Sequence, residues 1–121
     1  MQAKEDIEKL AGEFEQCRKI LLALGDENRQ HMILGMMRIG NCNGVRVNEI
    51  AECTHLSRPA VSHHLQILKH AGILKVRREA TKNYYYFDPD MKSFGLLIDV
   101  LQKAVQITSE LPDRSCVQHN E

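Results

Sequence analysis

The most informative part of this 121-residue chain is the stretch LSRPAVSHHLQILKHAG, residues 56–72. Ser57 is a favoured N-cap residue for a helix, and Pro59 is tolerated in the first turn that follows. Gly72 is the kind of residue at which a helix ends. These signals predict a helix over residues 57–70.

The two faces of this predicted helix differ in chemistry. Val61, Leu65 and Leu68 recur at the spacing of one helical face and are predicted to face the core. The other face carries side chains that can hydrogen-bond to base edges or phosphates: Arg58, Ser62, His63, Gln66 and Lys69. Arginine can bind guanine with two hydrogen bonds, and glutamine can pair with adenine. We expect the first three of these side chains to read bases in a major groove and the last to contact phosphate.

The flanking sequence supplies the remaining parts of a helix-turn-helix with a wing. Val45 and Val47 are candidates for a very short strand. A brief helix capped by Asn48 is predicted over residues 48–53, and residues 54–56 form a tight turn. Residues 73–78 and 83–87 alternate apolar and polar side chains, which is typical of the two strands of a hairpin. Two short helices, a three-residue turn and a hairpin, in that order, predict a winged helix-turn-helix, mainly α with a small β-hairpin.

Charge is sorted along the chain although the formal net charge is zero. Residues 54–87 contain six basic residues and one acidic residue, whereas residues 1–53 and 88–121 carry net charges of −2 and −3. A basic middle can meet phosphates while acidic ends stay away from them. The cations near the hairpin tip are placed for phosphates or the adjacent minor groove. The candidate DNA-binding residues are Ser57, Arg58, Ser62, His63, Gln66, Lys69, Arg77, Arg78 and Lys82.

Amphipathic helices are also predicted near both ends. The first is one continuous helix ended by Gly25, the next is capped by Asp26, and the last is ended by Pro112. The core of so small a domain is not large enough to cover the apolar faces of the first and last helices as well, so we expect these two apolar stripes to pack on a symmetry mate. The alternative is that both stripes fold back on their own domain. The candidate dimer-interface residues are Phe14, Phe94, Leu97 and Leu101.

Four short motifs resemble those of the ArsR/SmtB family of bacterial winged-helix repressors. They are LGDENR at 24–29, SRPAVSHHL at 57–65, VRRE at 76–79 and NYYY at 83–86. The resemblance covers residues 10–110 and implies a homodimer built from the first and last helices. It also implies an inverted-repeat DNA site and a ligand that lowers DNA affinity. Ala80 stands where many relatives have glycine, so the hairpin tip must turn without glycine's freedom at positive φ.

The resemblance also indicates where a metal sensor would lie. The arsenic and cadmium type has a Cys-x-Cys pair where this chain has Arg46 and Asn48. The zinc and nickel type needs histidines within residues 91–117, where there are none. We interpret Cys53 and His55 as a buried cysteine and a turn histidine. We therefore expect no metal and no cofactor.

A thiol switch is the remaining sensor hypothesis. Some relatives respond to persulfides or oxidants through one cysteine near the second helix and another near the last. Cys42 lies just past the second helix, and Cys116 follows the last helix beyond Pro112, later than the usual partner cysteine; these two are the candidate sensor pair. The alternative is that the four cysteines have no sensing role.

Composition and motifs exclude several other classes. The chain is 43% hydrophobic and 26% charged, as soluble globular domains are. No apolar run reaches the length of a membrane span, and no signal peptide is expected at the N-terminus. The cysteines have no C-x-x-C spacing, which argues against a disulfide framework or zinc ribbon. No nucleophile–base–acid set or glycine-rich phosphate loop indicates an enzyme.

We therefore predict a cytoplasmic bacterial homodimer that represses transcription from double-stranded DNA and is released by an unidentified inducer. Residues 1–111 are expected to form the winged helix-turn-helix domain with its flanking dimerisation helices, and residues 112–121 a flexible tail. The alternative function is a winged-helix module for protein interactions without specific DNA binding. Such a module would expose an apolar patch in place of the polar row on the helix at 57–70.

Overall fold

The computed structural model describes residues 2–41 and 43–111. Within them the chain forms six helices and one two-stranded antiparallel sheet. In chain order these are α1 (Gln2–Gln16), α2 (Arg18–Leu24), α3 (Glu27–Ile39), α4 (Val47–Thr54), α5 (Arg58–His70), β1 (Leu74–Glu79), β2 (Lys82–Phe87) and α6 (Met91–Glu110). The predicted fold class, mainly α with a small hairpin, is confirmed. The elements divide into a central unit, residues 19–90, and a terminal unit formed by the residues before 19 and after 90.

The central unit is built around α5. Helices α3, α4 and α5 pack together, and β1 contacts α5. The buried apolar side chains come from every element of the unit: Ile20, Ala23, Met32, Met36, Val45, Ile50, Val61, Leu65, Leu68, Ile73, Leu74 and Tyr85. The three predicted inward residues of α5 are fully buried, so the opposite face of that helix is left to solvent.

Helix ends in the central unit follow the capping residues in the sequence. The side chain of Asp26 accepts a hydrogen bond from the backbone N–H of Arg29 at 3.1 Å, which caps α3. Gly40 ends α3 in the left-handed region at φ 66°. Ser57 Oγ accepts from the N–H of Ala60 at 3.2 Å and caps α5. Because each cap satisfies helix donors or acceptors locally, these boundaries are as predicted.

The prediction of one continuous first helix is wrong, because α1 and α2 are separated at Cys17. The backbone N–H of Cys17 is shared between the carbonyls of Glu13, at 3.3 Å, and Phe14, at 3.1 Å. The bond to Phe14 spans three residues instead of four, so the helix tightens there and is interrupted. The side chain of Cys17 is buried, which continues the apolar stripe across the break.

Two further expectations for the segment before α5 are corrected. Helix α4 begins at Val47 rather than after Asn48, because Arg46 takes the N-cap position and its backbone N–H donates to Glu49 Oε1 at 3.0 Å. The predicted short strand reduces to Val45, whose N–H and carbonyl each bond to Tyr85 at 2.8 Å.

The hairpin tip turns without glycine, as the sequence requires. Glu79 pairs with Lys82, which leaves Ala80 and Thr81 as the two turn residues. Ala80 adopts φ 54°, in the left-handed region that costs an L-residue about 1–2 kcal/mol. Arg78 Nε donates to the carbonyl of Ala80 at 3.1 Å and braces the turn.

The terminal unit consists of α1 packed against α6. Lys103 on α6 links the helices, since its Nζ lies 2.9 Å from Glu13 Oε2 and 3.0 Å from Asp99 Oδ2. These hydrogen bonds, first to Glu13 and then to Asp99, raise the pKa of Lys103. No helix among the described residues is long and apolar enough to cross a membrane. The predicted tail at 112–121 lies outside the described residues.

Candidate nucleic-acid interface

The polar row predicted on α5 lies on the solvent side of that helix. Its side chains are all exposed: Arg58, Ser62, His63, Gln66 and Lys69. Ser57, at the start of the helix, is also exposed, and its Oγ serves as the capping acceptor. Because the buried face fixes the rotation of α5, the row has one defined orientation on the central unit. This is the geometry that a recognition helix needs to present side chains to a groove.

A concave surface of about 370 Å³ lies between the start of α4, the start of α5 and the hairpin tip. We call it the α4–α5–wing groove, and its lining residues are Arg46, Val47, Asn48, Arg58, Pro59, Ser62, Thr81 and Asn83. Two residues of the predicted row, Arg58 and Ser62, thus meet other polar groups. The remaining polar side chains of the groove were missed by the sequence analysis. The nearest signal in the sequence was local: Asn48 was predicted to cap the helix that begins there, and Arg46 lies two residues before it.

The hairpin cations differ in the number of interactions that they make within the protein. Arg77 donates to the carbonyl of Asn43 at 2.6 Å, pairs with Glu79, and has its guanidinium carbon 4.8 Å from the Tyr84 ring centroid. Arg78 and Lys82 are exposed. Arg77 is therefore held against the protein, and its predicted phosphate contact would require some of these interactions to break.

The motif LGDENR, residues 24–29, forms a polar junction that contacts α5. Arg29 Nε donates to the carbonyl of Ala23 at 2.7 Å, and Arg29 Nη2 donates to the carbonyl of Leu22 at 3.0 Å. The Arg29 side chain is only 12% exposed, and its Nη1 lies 3.3 Å from Nδ1 of His64 on α5. The N–H of Arg29 lowers the pKa of Asp26 through the capping hydrogen bond. One arginine thus joins the end of α2, the start of α3 and α5.

The environment of His64 disfavours its protonated form. Burial of the ring is the largest cause that lowers the pKa of His64, the Arg29 cation adds to it, and Asp26 acts in the opposite direction. Since His64 regains its ordinary pKa near 6.5 on unfolding, the unfolded chain takes up a proton at higher pH than the folded chain.

We therefore expect the free energy of unfolding to fall as the pH drops through about 6.5, and His64→Gln to reduce that fall. Urea denaturation at pH 7.5 and pH 5.5 measures it. His63→Gln, at the exposed neighbouring position, is the matched control and should change the pH dependence less. If the free energy of unfolding of His64→Gln falls between pH 7.5 and pH 5.5 by as much as that of the wild type, His64 is not the cause of the pH dependence.

The predicted dimer residues divide into two groups. Phe14 and Leu101 are 36% and 48% exposed, whereas Phe94 is half-buried and Leu97 is only 8% exposed. Leu97 is therefore covered mostly by its own chain. Other large apolar side chains on α1 and α6 are exposed to a similar or greater degree: Ile7, Ile98 and Val105.

Only some of the candidate sensor residues lie within the part of the chain that the structure describes. Cys42 and Cys116 lie outside the described residues. Cys53 is exposed, so its interpretation as a buried cysteine is wrong, and His55 caps the end of α4 at φ 63°. No group of three or more His, Cys, Asp or Glu side chains suited to a metal occurs within residues 2–41 and 43–111.

Comparison with known proteins agrees with this geometry. A family model described as "Bacterial regulatory protein, arsR family" matches residues 30–76. An uncharacterized HTH-type transcriptional regulator of Methanocaldococcus jannaschii, MJ1325, is 38% identical over 89 residues, which are 73% of this chain and 97% of the relative. The transcriptional repressor SdpR of Bacillus subtilis is 33% identical over 66 residues, 54% of this chain and 69% of the relative.

Among solved structures, the homodimeric winged helix-turn-helix DNA-binding domain of Mb0332 from Mycobacterium bovis superposes with a TM-score of 0.55 at 23% identity. The match covers 92% of this chain and 91% of that one. The fold and the polar face of α5 define a winged helix-turn-helix regulatory protein. The chain belongs to the arsR family of bacterial regulatory proteins.

Proposed function

We propose that this chain is a homodimeric repressor that binds an inverted-repeat operator in double-stranded DNA and is released by an inducer of unidentified chemistry. The observation that carries the proposal is the exposed polar row of α5, which continues into the α4–α5–wing groove. These groups can hydrogen-bond to base edges and phosphates, whereas a protein-interaction module would expose an apolar patch in their place. A regulator of this kind works beside the chromosome, in the cytoplasm.

Repression and dimerisation are supported by two further findings. SdpR is named a transcriptional repressor, and Mb0332 is described as a homodimer. In this chain, Phe14, Ile98 and Leu101 expose apolar surface on the terminal unit, which a two-fold partner would cover. A two-fold dimer carries two copies of α5, and an inverted repeat offers two half-sites related by the same symmetry. On this proposal, residues 1–111 act as the DNA-binding domain with its dimerisation helices.

The function is tested by selection of duplexes from a random-sequence pool, followed by fluorescence anisotropy at physiological salt. We expect enrichment of an inverted repeat and a preference of about 10³-fold or more over scrambled duplex. A pool that stays random after selection would overturn specific DNA binding and favour the protein-interaction module.

Arg58→Ala is expected to weaken binding to the selected site by about 1–3 kcal/mol and to relax specificity at one base position. Arg58 is exposed at the first position of α5 and lines the groove, so it can reach a base edge. Anisotropy on the selected site and on single-base variants measures both effects. Arg38→Ala, which removes an exposed cation from α3, is the control and should leave specificity unchanged. An equal loss on all sequences would make Arg58 a phosphate contact.

A further inference from the structure

Two arginine side chains flank the aromatic ring of Tyr84 in the central unit. The guanidinium carbon of Arg77 lies 4.8 Å from the ring centroid, and that of Arg46 lies 6.0 Å from it. Both distances are within the range in which a cation is attracted to the ring quadrupole. Tyr84 itself is half-buried on β2, so its ring has a restricted position.

Arg46 lies near this ring because the backbone just before it, at Gly44 and Val45, packs closely against β2. Val45 is paired with Tyr85 by two hydrogen bonds of 2.8 Å, which fixes the residue before Arg46 against β2. Gly44 has φ 104°, and a Cβ built on it would lie 2.9 Å from Tyr84 Cβ. The chain can therefore pass this closely over β2 only with glycine at that position.

The two cations differ in what neutralises them. Arg77 is ion-paired with Glu79 and donates to the carbonyl of Asn43 at 2.6 Å. Within the part of the chain that the structure describes, Arg46 has no carboxylate within ion-pairing distance, although its backbone N–H is bonded to Glu49. Arg46 also lines the α4–α5–wing groove beside Arg58 and Ser62. The position leaves one unneutralised guanidinium, held over an aromatic ring, next to the proposed base-reading side chains.

We propose that Arg46 is a DNA-phosphate contact that Tyr84 positions, and that Arg77 supports the hairpin instead of binding phosphate. The inference rests on the proposed function, because the anion is a backbone phosphate of the bound operator. A guanidinium binds phosphate with two parallel hydrogen bonds, and holding it over a ring reduces the conformational freedom lost on binding. Tyr84 acts through Arg46 and is a positioning residue.

The experiment is the salt dependence of DNA affinity, since the slope of log K against log salt counts the phosphates neutralised. Each phosphate contributes about 0.9 to the slope, so loss of one per protomer should reduce a dimer's slope by about 1.8. We expect this reduction in Arg46→Ala, with an equal weakening on selected and scrambled duplex. Arg46→Lys should retain most of the slope because the charge remains.

Two variants separate positioning from simple stability. Tyr84→Phe keeps the ring and should bind as the wild type does, whereas Tyr84→Leu should move the slope toward that of Arg46→Ala.

The double variant Arg77→Gln, Glu79→Gln removes both charges of the hairpin ion pair at constant net charge. It should leave the slope unchanged if Arg77 does not bind phosphate. Melting temperatures of all variants identify any that fail to fold.

The outcomes distinguish this inference from the proposed function. If the wild-type chain shows no salt-dependent DNA binding, the proposed function fails. If it binds and Arg46→Ala keeps the wild-type slope, the phosphate contact alone is overturned. If Arg46→Ala lowers the slope but a folded Tyr84→Leu does not, the positioning role of Tyr84 is overturned.

Discussion

Replacing Leu101 with glutamate is expected to convert the proposed dimer into a monomer and to weaken binding to the proposed operator to near the non-specific level, about 10³-fold or more. Leu101 is 48% exposed on α6 and is flanked by exposed Ile98 and Val105, so the change should not disturb the chain's own core. A two-fold interface would bury the new carboxylate twice, without a partner for either copy. Sedimentation measures the oligomeric state, and anisotropy on the selected duplex measures affinity.

The neighbouring residue provides a matched control for this charge. Gln102 is exposed and lies about 100° around the helix from Leu101, so Gln102→Glu adds the same charge outside the apolar stripe. It should remain dimeric and bind DNA as the wild type does. A Leu101→Glu protein that sediments as a dimer would contradict the proposed interface.

The contrast between Leu97 and Leu101 shows what periodicity can and cannot predict. Both residues belong to the stripe that the sequence identifies on the last helix. Only the structure shows that Leu97 is 8% exposed whereas Leu101 is 48% exposed. A helical repeat establishes which side of a helix is apolar, but how much of that side the chain covers itself is a tertiary property.

Several helix boundaries set by nearby residues were predicted, whereas contacts between residues distant in sequence were missed. The bounds of α5 follow from a cap at Ser57 and the residues that end the helix, all local signals. The separation of α1 from α2 was missed because the apolar repeat continues through Cys17. The approach of Gly44 to Tyr84 joins residues far apart in sequence, so Arg46 could not be placed in the groove beforehand.

Arg77 shows the same limit for the candidate site. Its charge and its place near the hairpin tip predict a phosphate contact. The structure adds a hydrogen bond to the carbonyl of Asn43, which lies 34 residues earlier in the chain. A cation's availability to DNA depends on its other partners, and those partners are invisible to local patterns.

The largest effect on stability is expected from Arg29→Met, which should lower the free energy of unfolding by about 3 kcal/mol. The substitution keeps most of the volume but removes the donors to the carbonyls of Leu22 and Ala23. The Ala23 acceptor is partly buried and costs about 1–3 kcal/mol when unsatisfied, whereas the exposed Leu22 acceptor costs less because water can replace the donor. It also leaves Asp26 and His64 without their shared neighbour. Urea denaturation at one fixed protein concentration measures the change, because a dimer's stability depends on concentration.

Two controls identify the cause of this loss. Arg29→Lys keeps the charge but replaces a planar fork with a single ammonium, so it should recover only part of the stability. Arg38→Met removes an exposed arginine from the same helix and should change stability by no more than about 0.5 kcal/mol. If the free energy of unfolding of Arg29→Met lies within about 0.5 kcal/mol of the wild-type value, the junction does not hold α2 and α3 against α5. If the loss is as large as expected, the motif LGDENR stabilises the central unit that carries the proposed DNA-binding surface.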